Sequence, residues 1–236
     1  PRRVGYARKC GMLLTRRIAH TKQEGEKHEL EYNFDLLEAL GIHAGDRRLR
    51  VAVNPRAAAW AGERLREAGI RDDAPVLAVH PAASCPSKIW PAERFAAVAD
   101  ELTVRHGFAL VVVGGKGERA AVEAVTQRLH HPVCDLGGRT TVAQLTAVLQ
   151  RARLLISNDS GPVHLACAVG TPVVSIFGRK QPGLGPKRWG PVGKQAAVLH
   201  RDVGCIECFA HDCRRSFACL KAIEVEDVLS AAQRLL

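Results

Sequence analysis

From residue 76 onward the chain repeats one rhythm: a short continuous apolar run, then a longer stretch whose apolar positions recur every three or four residues. The runs at 76–80, 108–113, 132–136, 154–157 and 172–177 are too short for helices and rich in Val, Leu and Ile, so they predict buried strands. The intervening stretches 91–106, 118–129, 142–151 and 161–169 carry helical spacing. Strands that are apolar on both faces and alternate with helices predict an α/β fold, a parallel sheet of five strands covered by helices on both sides. Such sheets bind ligands beyond the carboxyl ends of their strands, so the loop after each strand is where chemistry is expected.

The chain before residue 76 has a different rhythm. A helix is predicted over 28–40, with Leu30, Phe34, Leu37 and Leu40 on one face and Gly41 as its stop. Residues 46–75 hold Val51-Ala52-Val53, a helix-like stretch 57–68 ending at Gly69 and the turn-prone Arg71-Asp72-Asp73-Ala74-Pro75, and they read as a connection. The organisation expected is a unit at 1–45, a connection at 46–75, and a second unit at 76–236 closed by an amphipathic helix over 225–236. The chain starts at Pro1, and Val4-Gly5-Tyr6 has the character of a domain interior, so a preceding N-terminal segment is expected.

The run 154–157 leads directly into Ser157-Asn158-Asp159-Ser160-Gly161-Pro162-Val163-His164. This is a strand-to-helix elbow. Asp159 or Ser160 can cap the helix, Pro162 suits a first turn that needs no amide donor, and Gly161 lets a ligand approach the backbone. The free amides and the positive end of the helix dipole suit a phosphate, and His164, one turn on, can add a hydrogen bond. A capped helix with a half-buried histidine explains the same residues.

Composition narrows the partner. An apolar share of 47% excludes a disordered chain, and no run approaches the roughly 18 residues that span a bilayer. The N-terminus has no signal-peptide core, so the cytoplasm is the expected compartment. The net charge of +10 points to anionic partners: nucleotide phosphates, a phosphorylated glycan, an acidic membrane surface or nucleic acid.

Cations and small residues gather in the strand-end loops. After the first strand, His80-Pro81-Ala82-Ala83-Ser84-Cys85-Pro86-Ser87-Lys88-Ile89-Trp90-Pro91 places Lys88 just before a helix, where it can neutralise a phosphate beside Ser84; the alternative is a solvated lysine with Trp90 in the core. After the second, Gly114-Gly115-Lys116-Gly117-Glu118 offers one carboxylate, which either stabilises a helix start or accepts from a ribose hydroxyl. Its glycines form neither a dinucleotide fingerprint nor a P-loop. Gly137-Gly138-Arg139-Thr140-Thr141 is a third turn, facing a base or simply capping a helix. Phe177-Gly178-Arg179-Lys180-Gln181 adds two cations expected to converge with Lys88 beside Asp159.

Three of these motifs, HPAASCPSKIWP, VVVGGKGE and SNDSGPVHLACAVGTPVVSIFG, resemble in order and spacing those of glycosyltransferase family 9, the lipopolysaccharide heptosyltransferases and their relatives. The likeness runs from residue 76 to the C-terminus, and residues 1–45 are more loosely similar to the later part of that family's acceptor domain. It implies a GT-B-like fold of two facing Rossmann-like domains, here a complete C-terminal one and a partial N-terminal one. It also implies inverting transfer of heptose from ADP-heptose to the Kdo-containing inner core, with no required metal or cofactor. By the same resemblance Ser84 and Lys88 contact the diphosphate, Glu118 the ribose, the loop around Thr140 the adenine, Asp159 the sugar hydroxyls, and Ser160, Gly161 and His164 the phosphate at the helix start. The general base is expected upstream of Pro1, and no catalytic base is assigned within the chain. Lys88 is the leaving-group stabiliser. The implied acceptor is an anionic lipid-linked saccharide at the cytoplasmic face of the inner membrane, which the N-terminal cations Arg2, Arg3, Arg8, Lys9, Arg16 and Arg17 suit.

Two rival readings accompany this one: a nucleotide-sugar-binding module without catalysis, and a nucleic-acid-binding protein, which the charge allows but which lacks basic-aromatic interleaving. Cys205, Cys208, Cys213 and Cys219 form a separate cluster. Its CxxC start suits structural zinc, with His211 or Asp212 as substitutes, but the wider second spacing favours reduced, half-buried thiols.

Overall fold

The computed structural model describes residues 1–236 except Arg47, Ile206, Glu207, Phe209 and Ala210. A small N-terminal unit holds β1 (Val4–Tyr6), β2 (Arg16–Ile18) and α1 (Glu29–Ala39), followed by α2 (Pro55–Glu67). Next come β3 (Val76–His80), α3 (Ala92–His106), β4 (Ala109–Gly114), α4 (Arg119–Thr126), β5 (Val133–Gly137), α5 (Val142–Arg151) and β6 (Ala152–Asn158). The chain finishes with α6 (Gly161–Val169), β7 (Val173–Phe177), α7 (Pro186–Trp189), β8 (Ala196–His200), α8 (Ala218–Lys221) and α9 (Val225–Gln233).

The main sheet has six strands in the order β5-β4-β3-β6-β7-β8, all parallel. From β3 the chain winds outward to β5, returns to the centre at β6, and winds outward the other way. The reversal opens a crevice beyond the carboxyl ends of β3 and β6, the place where doubly wound sheets take their ligands. Alternation along each strand feeds two cores. Leu77, Val79, Leu154 and Ile156 face α3, α4 and α9, while Val76, Ala78, Val111 and Leu155 face α2, α5 and α6.

Two expectations are corrected. The sheet gains a sixth strand, β8, that the sequence pattern does not announce, because an edge strand with only Leu199 buried lacks a continuous buried run. The stretch 46–75 is more than a connection: Ala57, Ala61 and Leu65 on α2 are buried in the second core, so α2 is a covering layer of the sheet. Asn54 caps it, accepting from the Arg56 amide at 2.8 Å.

The N-terminal unit is fastened to the segment between β7 and β8. Gly25 has a φ of +65°, and a Cβ there would lie 2.2 Å from the Gly183 amide, so only glycine allows this backbone approach. Arg188 pairs with Glu29 at 2.7 Å and donates to the Lys22 carbonyl at 3.0 Å. His28 caps α1 through Nδ1 and donates from Nε2 to the Gly190 carbonyl at 2.9 Å. Among the described residues no helix is long and apolar enough to cross a membrane.

Candidate functional site

The elbow forms where β6 ends in the polar residues Ser157 and Asn158 and runs into Asp159, all three buried. Ser160 occupies the N-cap position of α6 but its side chain makes no capping bond, and Asp159 does not cap either. That corrects the expected capping role. The first turn, with Gly161 and Pro162 at its start, therefore keeps amide capacity for an anion.

Asp159 is turned toward Lys88 instead. The Lys88 ammonium lies 2.6 Å from Asp159 Oδ2 and 3.5 Å from the Asp159 carbonyl, with side chains 18% and 6% exposed. No hydrogen bond of good geometry reaches Oδ2, so charge alone holds the pair. His164, on the first turn of α6, feels the charge of both. Burial lowers its pKa first, His28 and Lys88 push the same way, and Asp159 opposes them. Lys88 is thereby held at Asp159, directly before the first turn of α6 that carries His164.

The lysine loop is held from two sides. Asn158 accepts from the Trp90 amide at 3.0 Å and donates to the Pro81 carbonyl at 2.6 Å, clamping both ends of the loop to the elbow. Trp90 itself is core, its indole N–H donating to the Ile223 carbonyl at 2.9 Å. From beneath, Arg179 donates to Ser87 Oγ at 3.0 Å and to Cys85 Sγ at 2.7 Å. A Cβ at Gly178 would sit 2.1 Å from the Ser87 carbonyl, so glycine is required for this packing. These contacts correct the expected convergence of cations: Arg179 supports the loop that carries Lys88, and Lys180 pairs with Asp202 at 2.9 Å. Ser84 lies exposed on the same loop.

Glu118 closes a short 3₁₀ turn, Lys116–Glu118, rather than capping α4. Its Oε2 accepts from the Gly115 amide at 2.6 Å and faces His80 Nε2 at 3.3 Å. The His80 contact holds its carboxyl below the usual range; burial opposes and the Gly115 amide assists. The turn carrying Thr140 lies against this loop, since the Gly138 amide donates to the Gly114 carbonyl at 2.8 Å. Thr141, not Thr140, caps α5 in a reciprocal capping box with Gln144. The sites expected after β3, β4, β5 and β6 are thereby joined through named contacts.

Sequence reasoning missed Asn158, His80 and Ser157. The available signal was a polar side chain at the end of a strand buried on both faces, which must find a hydrogen-bonding partner. Cys205, Cys208, Cys213 and Cys219 line a cavity of about 370 Å³ together with Ser87, Arg214 and Phe217. Among the described residues no group of three or more His, Cys, Asp or Glu is arranged to hold a metal. The Ile206-Glu207 centre of the CxxC stretch lies outside the described residues.

The model of glycosyltransferase family 9 (heptosyltransferase) matches residues 1–218. Lipopolysaccharide heptosyltransferase 3 of Escherichia coli K12 is 30% identical over 216 residues, covering 89% of this chain and 60% of that protein. A glycosyl transferase of family 9 from Veillonella parvula superposes with a TM-score of 0.82 at 26% identity, over 100% of this chain and 67% of that one. The ADP-heptose lipopolysaccharide heptosyltransferase II of E. coli shares the fold, with a TM-score of 0.78 at 20% identity over 100% of this chain and 70% of that one. The chain spans about half the length of the curated relatives it matches.

Proposed function

The chain belongs to glycosyltransferase family 9, and from that premise we propose that it binds ADP-heptose and serves its inverting transfer to the lipopolysaccharide inner core. The observation that carries this reading is the shared rim of Lys88, Asp159 and His164 at the point where the sheet reverses direction. A diphosphate entering there meets the Lys88 ammonium and the open first turn of α6. Asp159 accepts from sugar hydroxyls, Ser84 adds a hydroxyl beside the phosphates, Glu118 takes ribose hydroxyls, and the turn at Thr140 faces the base.

As the glycosidic bond breaks, negative charge grows on the β-phosphate of the leaving ADP. Lys88, the α6 amides and His164 are placed to stabilise that charge, and this electrostatic effect is the catalytic contribution of these residues. It is supplied by side chains and backbone, so we propose that no resident metal or other cofactor is needed. The general base belongs to the acceptor side. We assign residues 1–45 to the acceptor-binding domain. The groove lined by Tyr6, Arg8, His20, Lys22 and Arg188 faces an anionic, lipid-linked saccharide, and the +10 charge suits a peripheral position at the cytoplasmic face of the inner membrane.

Titration calorimetry with ADP-heptose, ADP and UDP tests the donor site. The expected order of affinity is ADP-heptose, then ADP, then UDP. Equal affinity for all three would overturn the assignment.

A further inference from the structure

We propose that His80 is a positioning residue: it fixes the Glu118 carboxylate in one orientation and ties it to the elbow, so that ribose recognition and the phosphate rim are held in register. The inference rests on the reading of Glu118 as the ribose contact. His80 ends β3, the strand paired with both β4 and β6, is 1% exposed, and stands between the loop after β4 and the end of β6. On one side its Nδ1 lies 3.2 Å from Ser157 Oγ. On the other its Nε2 lies 3.3 Å from Glu118 Oε2.

The protons can be followed through this array. The Ser157 hydroxyl donates to the Asn158 carbonyl at 2.7 Å, so its oxygen is left to accept, and Nδ1 carries a hydrogen. Glu118 Oε2 already accepts from the Gly115 amide. His80 Nε2 faces the same oxygen across 3.3 Å. Both contacts fall on the same carboxylate oxygen, and Oε1 makes no hydrogen bond among the described residues. Oε1 is the acceptor left for a hydroxyl, aimed by what holds Oε2. Ser157 is followed directly by Asn158 and Asp159, so the same imidazole that orients Glu118 is anchored on the strand end that clamps the lysine loop.

The test compares ADP with 2′,3′-dideoxy-ADP, which lacks both ribose hydroxyls, and with inorganic pyrophosphate, by calorimetry on the full chain. Wild type should prefer ADP over the dideoxy nucleotide by about ten- to a hundredfold, the range for a hydrogen bond to a charged group. His80→Asn, whose amide reaches the Nδ1 position only, should bring that ratio close to one while leaving pyrophosphate affinity unchanged. His80→Gln, whose amide reaches the Nε2 position, should restore most of the ratio. Ser157→Ala, a smaller change should His80→Asn fail to fold, should give an intermediate ratio. A wild-type ratio in His80→Asn or Ser157→Ala alongside a lost ratio in Glu118→Ala would overturn the role of His80. So would a parallel fall in pyrophosphate affinity. A full ratio in Glu118→Ala would instead strike the ribose reading itself, and the inference with it.

Discussion

Asn158→Ala isolates the clamp on the lysine loop. The amide of Asn158 is fully buried and makes two hydrogen bonds, from the Trp90 N–H at 3.0 Å and to the Pro81 carbonyl at 2.6 Å. Alanine fills neither role, and both backbone groups lie where water does not reach them easily. An unsatisfied buried polar group costs about 1–3 kcal/mol, so the two together cost about 2–6 kcal/mol. For a chain of this size each kcal/mol lowers Tm by roughly 2–4 °C, which sets the expected fall at roughly 4–24 °C. Freed at both ends, the loop no longer presents Lys88 at a fixed place, and affinity for ADP should drop roughly tenfold or more. Thermal unfolding by circular dichroism and calorimetry with ADP measure the two effects on one sample. A loss below about 0.5 kcal/mol, the scatter of ordinary surface changes, would refute the reasoning. So would a destabilised variant with undiminished ADP affinity.

Two further outcomes follow from the rim. Lys88→Ala should weaken ADP binding and also destabilise the fold, because Asp159 becomes a buried carboxylate without a partner; the cost falls at or below the ~3–5 kcal/mol seen on breaking buried pairs, since Lys88 keeps some solvent contact. The double variant Lys88→Ala with Asp159→Asn should recover Tm but not affinity, and recovery of neither would show that charge is not what binds the two. His164 has its pKa held below the ordinary 6.5, chiefly by burial, so the unfolded chain takes up the proton first as pH falls. Its contribution to stability is complete above about pH 6.5 and is lost as pH drops through that value toward the lowered one. His164→Gln should therefore lose less Tm than wild type between about pH 7.5 and pH 5.

The α/β alternation was legible because strands buried on both faces cannot hide their apolar runs, and helices α3, α5 and α6 begin within a residue of where their spacing puts them. The placement of Lys88, Asp159 and His164 beyond the carboxyl ends of β3 and β6 was legible for a related reason, since each lies in the segment that follows one of those strands. What stayed hidden depends on side-chain direction. Arg179 reads in sequence as another phosphate-binding cation, yet its guanidinium goes to Ser87 and Cys85 because Gly178 sinks the backbone against that loop. β8 stayed hidden because an edge strand is buried on too little of its surface to need an apolar run.

On the proposed donor reading, the Lys88–Asp159 pair would also tell a nucleotide sugar from a bare nucleotide. At rest each group answers the other's charge, and the pair is nearly buried, so a phosphate that attracts Lys88 competes with Asp159 for it. ADP alone gains the lysine and leaves the carboxylate without a counter-charge, which offsets part of the gain. A ligand that carries a sugar on the β-phosphate brings hydroxyls to Asp159 at the same moment, and Oδ2, which no hydrogen bond of good geometry satisfies at rest, becomes their acceptor. One pair would be exchanged for two, and on this reading only the intact donor would complete the exchange. On the same proposed reading, loss of the sugar would let Asp159 reclaim Lys88, and the competition that favours entry of the donor would favour release of ADP.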